Sequence, residues 1–168
     1  DIDSVNPDNS RKACSTSTEN SVTSNATLKD WIPKKNLITD LISTTDEEKF
    51  DGNSIRICYQ IAESKENKYV ARSLEEAIIN KNIDFFKDKF NGLDENKLEI
   101  EIEVKSKFEL LKKVNFDEKI DIYKLSPKSK EKSQFSFDLM TFNEKGTGLF
   151  WEVPLYIAEG LDWLAKEE

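Results

Sequence analysis

The four residues Ser73-Leu74-Glu75-Glu76 constrain this chain more than any other stretch. A serine with an acid three residues on satisfies N–H groups that a helix start leaves unpaired, so the pattern predicts a helix opening here. It runs through Ala77 and Ile78 to about Asn80, and the segment continues through Phe85, Phe86 and Phe90 until Gly92. Upstream, Ile55, Ile57 and Tyr59 alternate with Arg56, Cys58 and Gln60, which is the period-two pattern of a strand. An acidic, Lys-rich turn from Glu63 to Lys68 lies between the two.

The remaining elements are read the same way. The opening Asp1-Ile2-Asp3-Ser4 suits the end of a strand, followed by a polar Ser/Thr/Asn loop from Val5 to about Asn20. Thr23-Ser24-Asn25 can cap a short helix through Trp31 that Ile32-Pro33 ends. Leu37 to Ile42 is apolar and suits either helix or strand. A helical arm is expected from Leu98 to Val114, with strand a rival because Glu and Ile alternate early in it. Pro127 breaks what precedes it. From Lys130 the spacing of Phe135, Leu139 and Phe142 is helical. The last helix has Pro154 at its start and Ile157, Leu161 and Leu164 on one stripe.

The 168 residues suit one domain, or a core with a small appendage. Charged residues are 35% and hydrophobic ones 37%, a foldable balance, and no apolar run reaches the roughly 18 residues a membrane span needs. No signal segment opens the chain, and a first residue of Asp leads us to expect a longer polypeptide. Cys14 and Cys58 lack metal-ligand spacing and read as two ordinary thiols of a cytoplasmic protein. Histidine is absent, which removes Ser-His-Asp and Cys-His catalysis and His-based zinc sites. Any chemistry must come from carboxylates, lysine, hydroxyls or an oxygen-bound metal. A net charge of −8 argues against a general nucleic-acid coat. It is compatible with a nuclease whose clustered acids bind cations and whose phosphate attraction is local. Lys124, Lys128, Lys130 and Lys132, with Glu131 the one acid among them, form the best basic strip, which would also suit a plain solvated face.

Three constellations could carry chemistry. Asp1 and Asp3 are two apart, so in a strand their carboxylates share a face and suit a hard cation; the same pattern occurs in turns, in caps and in other enzyme classes. Glu75 is the acid left over once Glu76 has its capping job, and complementing the helix dipole would alone account for it. Lys132 lies on the helical face of Phe135 and Leu139, near a helix start where a cation is disfavoured. It could snorkel, or present its ammonium to a phosphate or a carboxylate cluster.

Taken in order, several strings resemble one family, the Toprim domains of OLD-family (overcoming lysogenization defect) ATP-dependent endonucleases. DIDS resembles their DxD motif, TSNATLKDW the segment after it, and IRICYQ the next strand. ARSLEEAIINKN is similar to RS-[FL]-E-[ED]-A-[FI], KSQFSFDLM to K-x-x-F-A-x-x-L, and WEVPLYIAEGLDWL to W-x-x-P-x-Y-I-x-E-G-L-x-W-L. The resemblance spans nearly the whole chain, with residues 84–128 matching loosely. It implies an α/β fold: a Toprim-like, Rossmann-like core lacking its first strand-helix unit, with a helical C-terminal part. The truncated core would occupy 1–92, a helical or mixed insertion 93–128, and helices completing the site 129–168. The implied activity is metal-dependent DNA endonuclease chemistry, by two Mg²⁺ or Mn²⁺ ions, in a phage-defence setting. Asp1 and Asp3 would bind a catalytic metal, Glu75 would serve a second metal site, and Lys132 would stabilise charge on the scissile phosphate. Ser24 and Asn25 would line the site and Arg72 would support it. An earlier acidic motif and an ATPase domain, the only place for ATP and the main route to a homo-oligomer, are implied upstream of Asp1. The stretch by itself is therefore expected to be inactive or feeble. DNA is the implied partner, with a helicase as a possible companion and no membrane.

Two other readings remain. Asp1-Ile2-Asp3-Ser4-Val5 also resembles the DxDx[TV] motif of haloacid-dehalogenase-type phosphatases, where Asp1 would be the nucleophile and Asp117-Glu118 the later acidic pair. The alternative without catalysis is a protein-interaction module in which Trp151, Tyr156 and Trp163 pack on a partner.

Overall fold

The computed structural model describes residues 1–8, 10–32, 35–51, 54–83, 121–144 and 152–166. Within them the chain is mixed α and β, with six helices and short antiparallel strand pairs. β1 (Ser4–Val5) pairs with β2 (Val22–Thr23), Ser4 opposite Thr23. α1 (Ala26–Trp31) and α2 (Ile38–Ile42) follow, then a 3-10 turn, Glu47–Lys49. β3 (Phe50–Asp51) pairs with β4 (Ile55–Arg56), Phe50 opposite Arg56. α3 (Leu74–Lys81), α4 (Ile122–Leu125), α5 (Lys132–Glu144) and α6 (Leu155–Lys166) complete the order. No helix among the described residues is long and apolar enough to cross a membrane.

The helix starts obey local chemistry. Asn25 caps α1 by accepting the Leu28 N–H at 3.2 Å. Ser73 caps α3 by accepting the Glu76 N–H at 3.4 Å. Only half of the predicted capping box forms, because the Glu76 carboxylate bypasses the cap residue. Its Oε1 accepts the Arg72 N–H at 3.1 Å and the Tyr69 hydroxyl at 2.5 Å instead. The ambiguous segment at Leu37 resolves as helix, α2.

One apolar cluster joins the parts. Ile2, Leu28, Ile32, Ile38, Leu41, Tyr59 and Val70 are buried together, with Ile57 and Ala62 against them. Ile2 is fully buried, which is worth about 2 kcal/mol for an aliphatic side chain, and it ties the residue between the two aspartates to this core. Tyr59 reaches the same core and donates its hydroxyl to the Leu41 carbonyl at 2.8 Å.

Some expectations change. The strand predicted from Ile55 to Gln60 pairs only at Ile55–Arg56. Tyr59 and Gln60 are both buried, so alternation fails there. The aspartates do not end a strand; they precede β1, and Asp3 has a φ of 49°, which breaks the alternation that would align them. α5 starts at Lys132, not Lys130.

The α6 stripe also differs. Leu161 and Leu164 are 58% and 56% exposed, so the stripe they form with Ile157 is not the buried face. The helix meets the chain through Glu159, Gly160 and Trp163. Glu159 pairs with Arg56 at 3.5 Å, and the Trp163 ring meets Phe50 edge-on at 6.1 Å. A Cβ on Gly160 would lie 3.0 Å from the Cys58 Sγ, so a larger residue here would require the Cys58 side chain to give way. Cys14 and Cys58 are both free thiols.

The continuation through Phe85, Phe86, Phe90 and Gly92, the arm from Leu98 to Val114, the pair Asp117-Glu118, Pro33, Trp151 and the side chain of Phe142 lie outside the described residues. So do the expected boundary at 92 and the insertion at 93–128, apart from residues 121–128 with α4.

Candidate active site

The opening aspartates sit in a cradle of main-chain bonds. The Asp3 N–H donates to the Arg72 carbonyl at 2.9 Å, and the Asp3 carbonyl accepts the Ser24 N–H at 3.0 Å and its hydroxyl at 2.9 Å. The Asp1 carbonyl accepts from the Asn25 side-chain amide at 2.7 Å, and the Ile2 carbonyl accepts from the Thr23 hydroxyl at 2.5 Å. Asn25 therefore works twice, as the α1 cap and as a clasp on Asp1. Of the predicted residues, Ser24, Asn25 and Arg72 all meet the Asp1–Asp3 segment, and each meets its main chain. Among the described residues the Asp3 carboxylate has no hydrogen-bond or ion-pair partner.

The Asp3–Arg72 bond brings α3 to this point, since Arg72 immediately precedes its cap residue, Ser73. Glu75 stands in the first turn of α3, with a side chain 13% exposed. It is paired with Lys132, whose Nζ donates to the Glu75 Oε2 at 2.7 Å. Burial alone would push the Glu75 carboxyl up. The hydrogen bond from Lys132, helped by the residue's own N–H and by Ser73, outweighs it and holds the group below its ordinary value. The same pair explains a cation at the first residue of α5, because Glu75 neutralises the charge that the helix start disfavours.

The basic strip therefore divides. Lys132 turns toward Glu75; Lys124 pairs with Asp121 at 3.1 Å while largely exposed, and Lys128 and Lys130 are exposed.

Two residues that sequence reasoning passed over belong here. Gln60 is 1% exposed; its Oε1 accepts the Ile2 N–H at 2.8 Å and its Nε2 donates to the Asp1 Oδ1 at 2.5 Å. Tyr156 of α6 has its phenol pushed up to about 12, chiefly by burial and then by the charge of Glu75, while hydrogen bonding with Gln60 opposes the rise. In the sequence Gln60 is only the polar partner of Tyr59 in a strand-like alternation. Tyr156 had been read only as an aromatic of a packing helix.

Next to this group, Glu76 is fully buried and its carboxyl is raised, first by burial, with the Tyr69 hydroxyl and Arg72 N–H opposing. Its role is structural: it fixes the turn that delivers Glu75.

The oxygen donors of Asp1, Asp3 and Glu75 suit a hard divalent cation. Among the described residues no three His, Cys, Asp or Glu side chains converge to hold one. The chemistry of these oxygen donors fits such an ion. Comparison of the chain with protein-family models, with curated proteins and with solved structures gives no match.

Proposed function

We propose that the chain is the C-terminal part of a metal-dependent DNA endonuclease with a Toprim-like site. Two bonds carry the reading: one holds the aspartate segment against the residue that precedes the α3 cap, and the other joins the first turn of α3 to the start of α5. Asp3 is bonded to Arg72 at 2.9 Å and Glu75 to Lys132 at 2.7 Å, although as many as 131 positions of sequence separate Asp1 from Lys132. The family resemblance supports it, since the strings that carry the likeness supply each of these residues.

In this reading Asp1 and Asp3 hold a divalent cation and Glu75 contributes to a second site. Bound Mg²⁺ or Mn²⁺ would supply water activation and charge neutralisation at the leaving oxygen. Lys132, whose ammonium is paired with Glu75, would supply positive charge to the phosphate as negative charge builds on it. Tyr156, with its phenol held protonated, can donate a hydrogen bond at neutral pH and cannot serve as a base. Ser24, Asn25 and Arg72 hold the backbone that carries the aspartates. An upstream acidic pair, an ATPase domain, homo-oligomerisation through that domain and a cytoplasmic phage-defence role belong to the same proposal.

The test is DNA cleavage by the full-length protein with Mg²⁺ or Mn²⁺. Asp1→Ala, Asp3→Ala and Glu75→Ala should each abolish cutting and leave assembly intact; unchanged cleavage overturns the reading. Phosphate release from a small ester in place of DNA cutting would instead indicate phosphatase chemistry. A second reading, a protein-interaction module, is favoured by one observation, the exposed Leu161 and Leu164 on α6.

A further inference from the structure

Gln60 is a buried amide with both polar ends committed. Its Oε1 takes the Ile2 N–H at 2.8 Å and its Nε2 gives a hydrogen to the Asp1 Oδ1 at 2.5 Å. The two bonds fix which end of the amide faces which group, because only the nitrogen end can donate. The carbonyl end is spent on a main-chain N–H that no side-chain rearrangement can move. The donor end is thereby aimed at one oxygen of Asp1, and the other oxygen, Oδ2, receives no hydrogen bond from any described residue. At 1% exposure Gln60 is shielded from water that could compete for either bond.

We propose that Gln60 is a positioning residue of the acidic site: it pins one Asp1 oxygen and leaves the other oriented toward a divalent cation. This rests on the metal-site reading above and deepens it. Carboxylates that hold a metal through one oxygen are steadied by a hydrogen bond to the other, and losing such a partner typically costs about 10–100-fold in metal affinity. An unpinned Asp1 would rotate freely at an exposed position, so the cation would have to order it at each binding event.

The experiment is a double-mutant cycle read by Mn²⁺ binding to the full-length protein, using electron paramagnetic resonance of the free ion, with no DNA present. Asp1→Ala and Gln60→Ala are compared singly and together. Gln60→Ala should weaken Mn²⁺ binding by about tenfold, and Asp1→Ala by more. The double variant should bind no more weakly than Asp1→Ala, because a residue that acts through Asp1 has nothing left to position. Losses that multiply in the double variant, or a Gln60→Ala protein that binds Mn²⁺ unchanged while Asp1→Ala does not, overturn the proposal and leave the metal reading standing. If neither Asp1→Ala nor Asp3→Ala weakens Mn²⁺ binding, the metal reading falls and the role of Gln60 falls with it. Gln60→Met fills the same space without either polar end, and replaces Gln60→Ala in the cycle if that protein fails to fold.

Discussion

The aspartate cradle and the C-terminal helix both reach the candidate site, yet different bonds hold them. The cradle is fastened by main-chain bonds of Asp3 to Arg72 and Ser24 and by the Thr23, Asn25 and Gln60 side chains that grip residues 1 and 2, all over the apolar core in which Ile2 is sunk. α6 is fastened by side chains. Asn82 clasps the Glu152 backbone at both ends, at 3.0 and 2.8 Å. Glu63 accepts the Leu155 N–H at 3.1 Å, Lys81 pairs with Glu152 at 3.3 Å, and Arg56 bridges Asp46 and Glu159. Main-chain bonds over a core survive most substitutions and changes of solvent. Partly exposed ion pairs respond to salt and pH and contribute little singly. One side of the site is therefore built to stay put, and the other can be adjusted from outside.

The sharpest way to break this contrast lies between the two regions, at Lys132. On the proposed endonuclease reading, Lys132→Met should lower DNA cleavage by the full-length protein by about 10²–10³-fold, the usual loss when a group that meets developing charge is removed. Circular dichroism should show the helices retained. A small loss of rate would remove Lys132 from the chemistry.

Ile2→Ala tests the anchored side. It should cost about 3 kcal/mol in denaturant unfolding, because a fully buried aliphatic chain leaves a cavity where the core is pinned by hydrogen bonds. A cost under about 1 kcal/mol would mean that the core does not support the cradle.

Asn82→Ala tests the fastened side, with a smaller expected cost of about 2 kcal/mol for two main-chain partners left without it. The loss should be local. Amides of α6 should exchange with solvent faster while those of the Ile2 cluster keep their protection, and a uniform loss across both would erase the distinction.

The smallest effect concerns pH. Burial holds the Glu63 carboxyl above its ordinary value, against the opposing pull of the Leu155 N–H and Lys81. The folded protein therefore binds this proton more tightly than the unfolded chain does. Its penalty is fully present above the folded value and disappears as pH falls to the ordinary carboxylate value, so across that window this group makes the fold more stable as pH drops. Stability measured through the window with and without Glu63→Gln should isolate a slope of that sign. An opposite slope would mean that the ion pair with Lys81 prevails over burial.

What was legible in the sequence follows the same division. Ser73 and Asn25 announced their helices because a cap is a local event, settled by a hydrogen bond two or three residues away. Asp1, Asp3, Glu75 and Lys132 were singled out by residue type and motif, and Lys132 in particular by breaking a helix-start rule that Glu75 turns out to satisfy. Gln60 stayed hidden because alternation presumes a regular strand, whereas the ladder stops at Arg56 and both Tyr59 and Gln60 turn inward. The packed face of α6 stayed hidden for another reason. Hydrophobicity marked Leu161 and Leu164, but the contacts are made through Glu159, Gly160 and Trp163, where an ion pair, a missing Cβ and a ring edge decide the fit.

The left-handed backbone of Asp3 has a consequence of its own. With a φ of 49° secured from both neighbouring segments, the bend at this residue belongs to the polypeptide thread and not to the group hanging from it. Asparagine tolerates that bend as readily as aspartate does. The electrical character of this corner can therefore be rewritten without redrawing its shape.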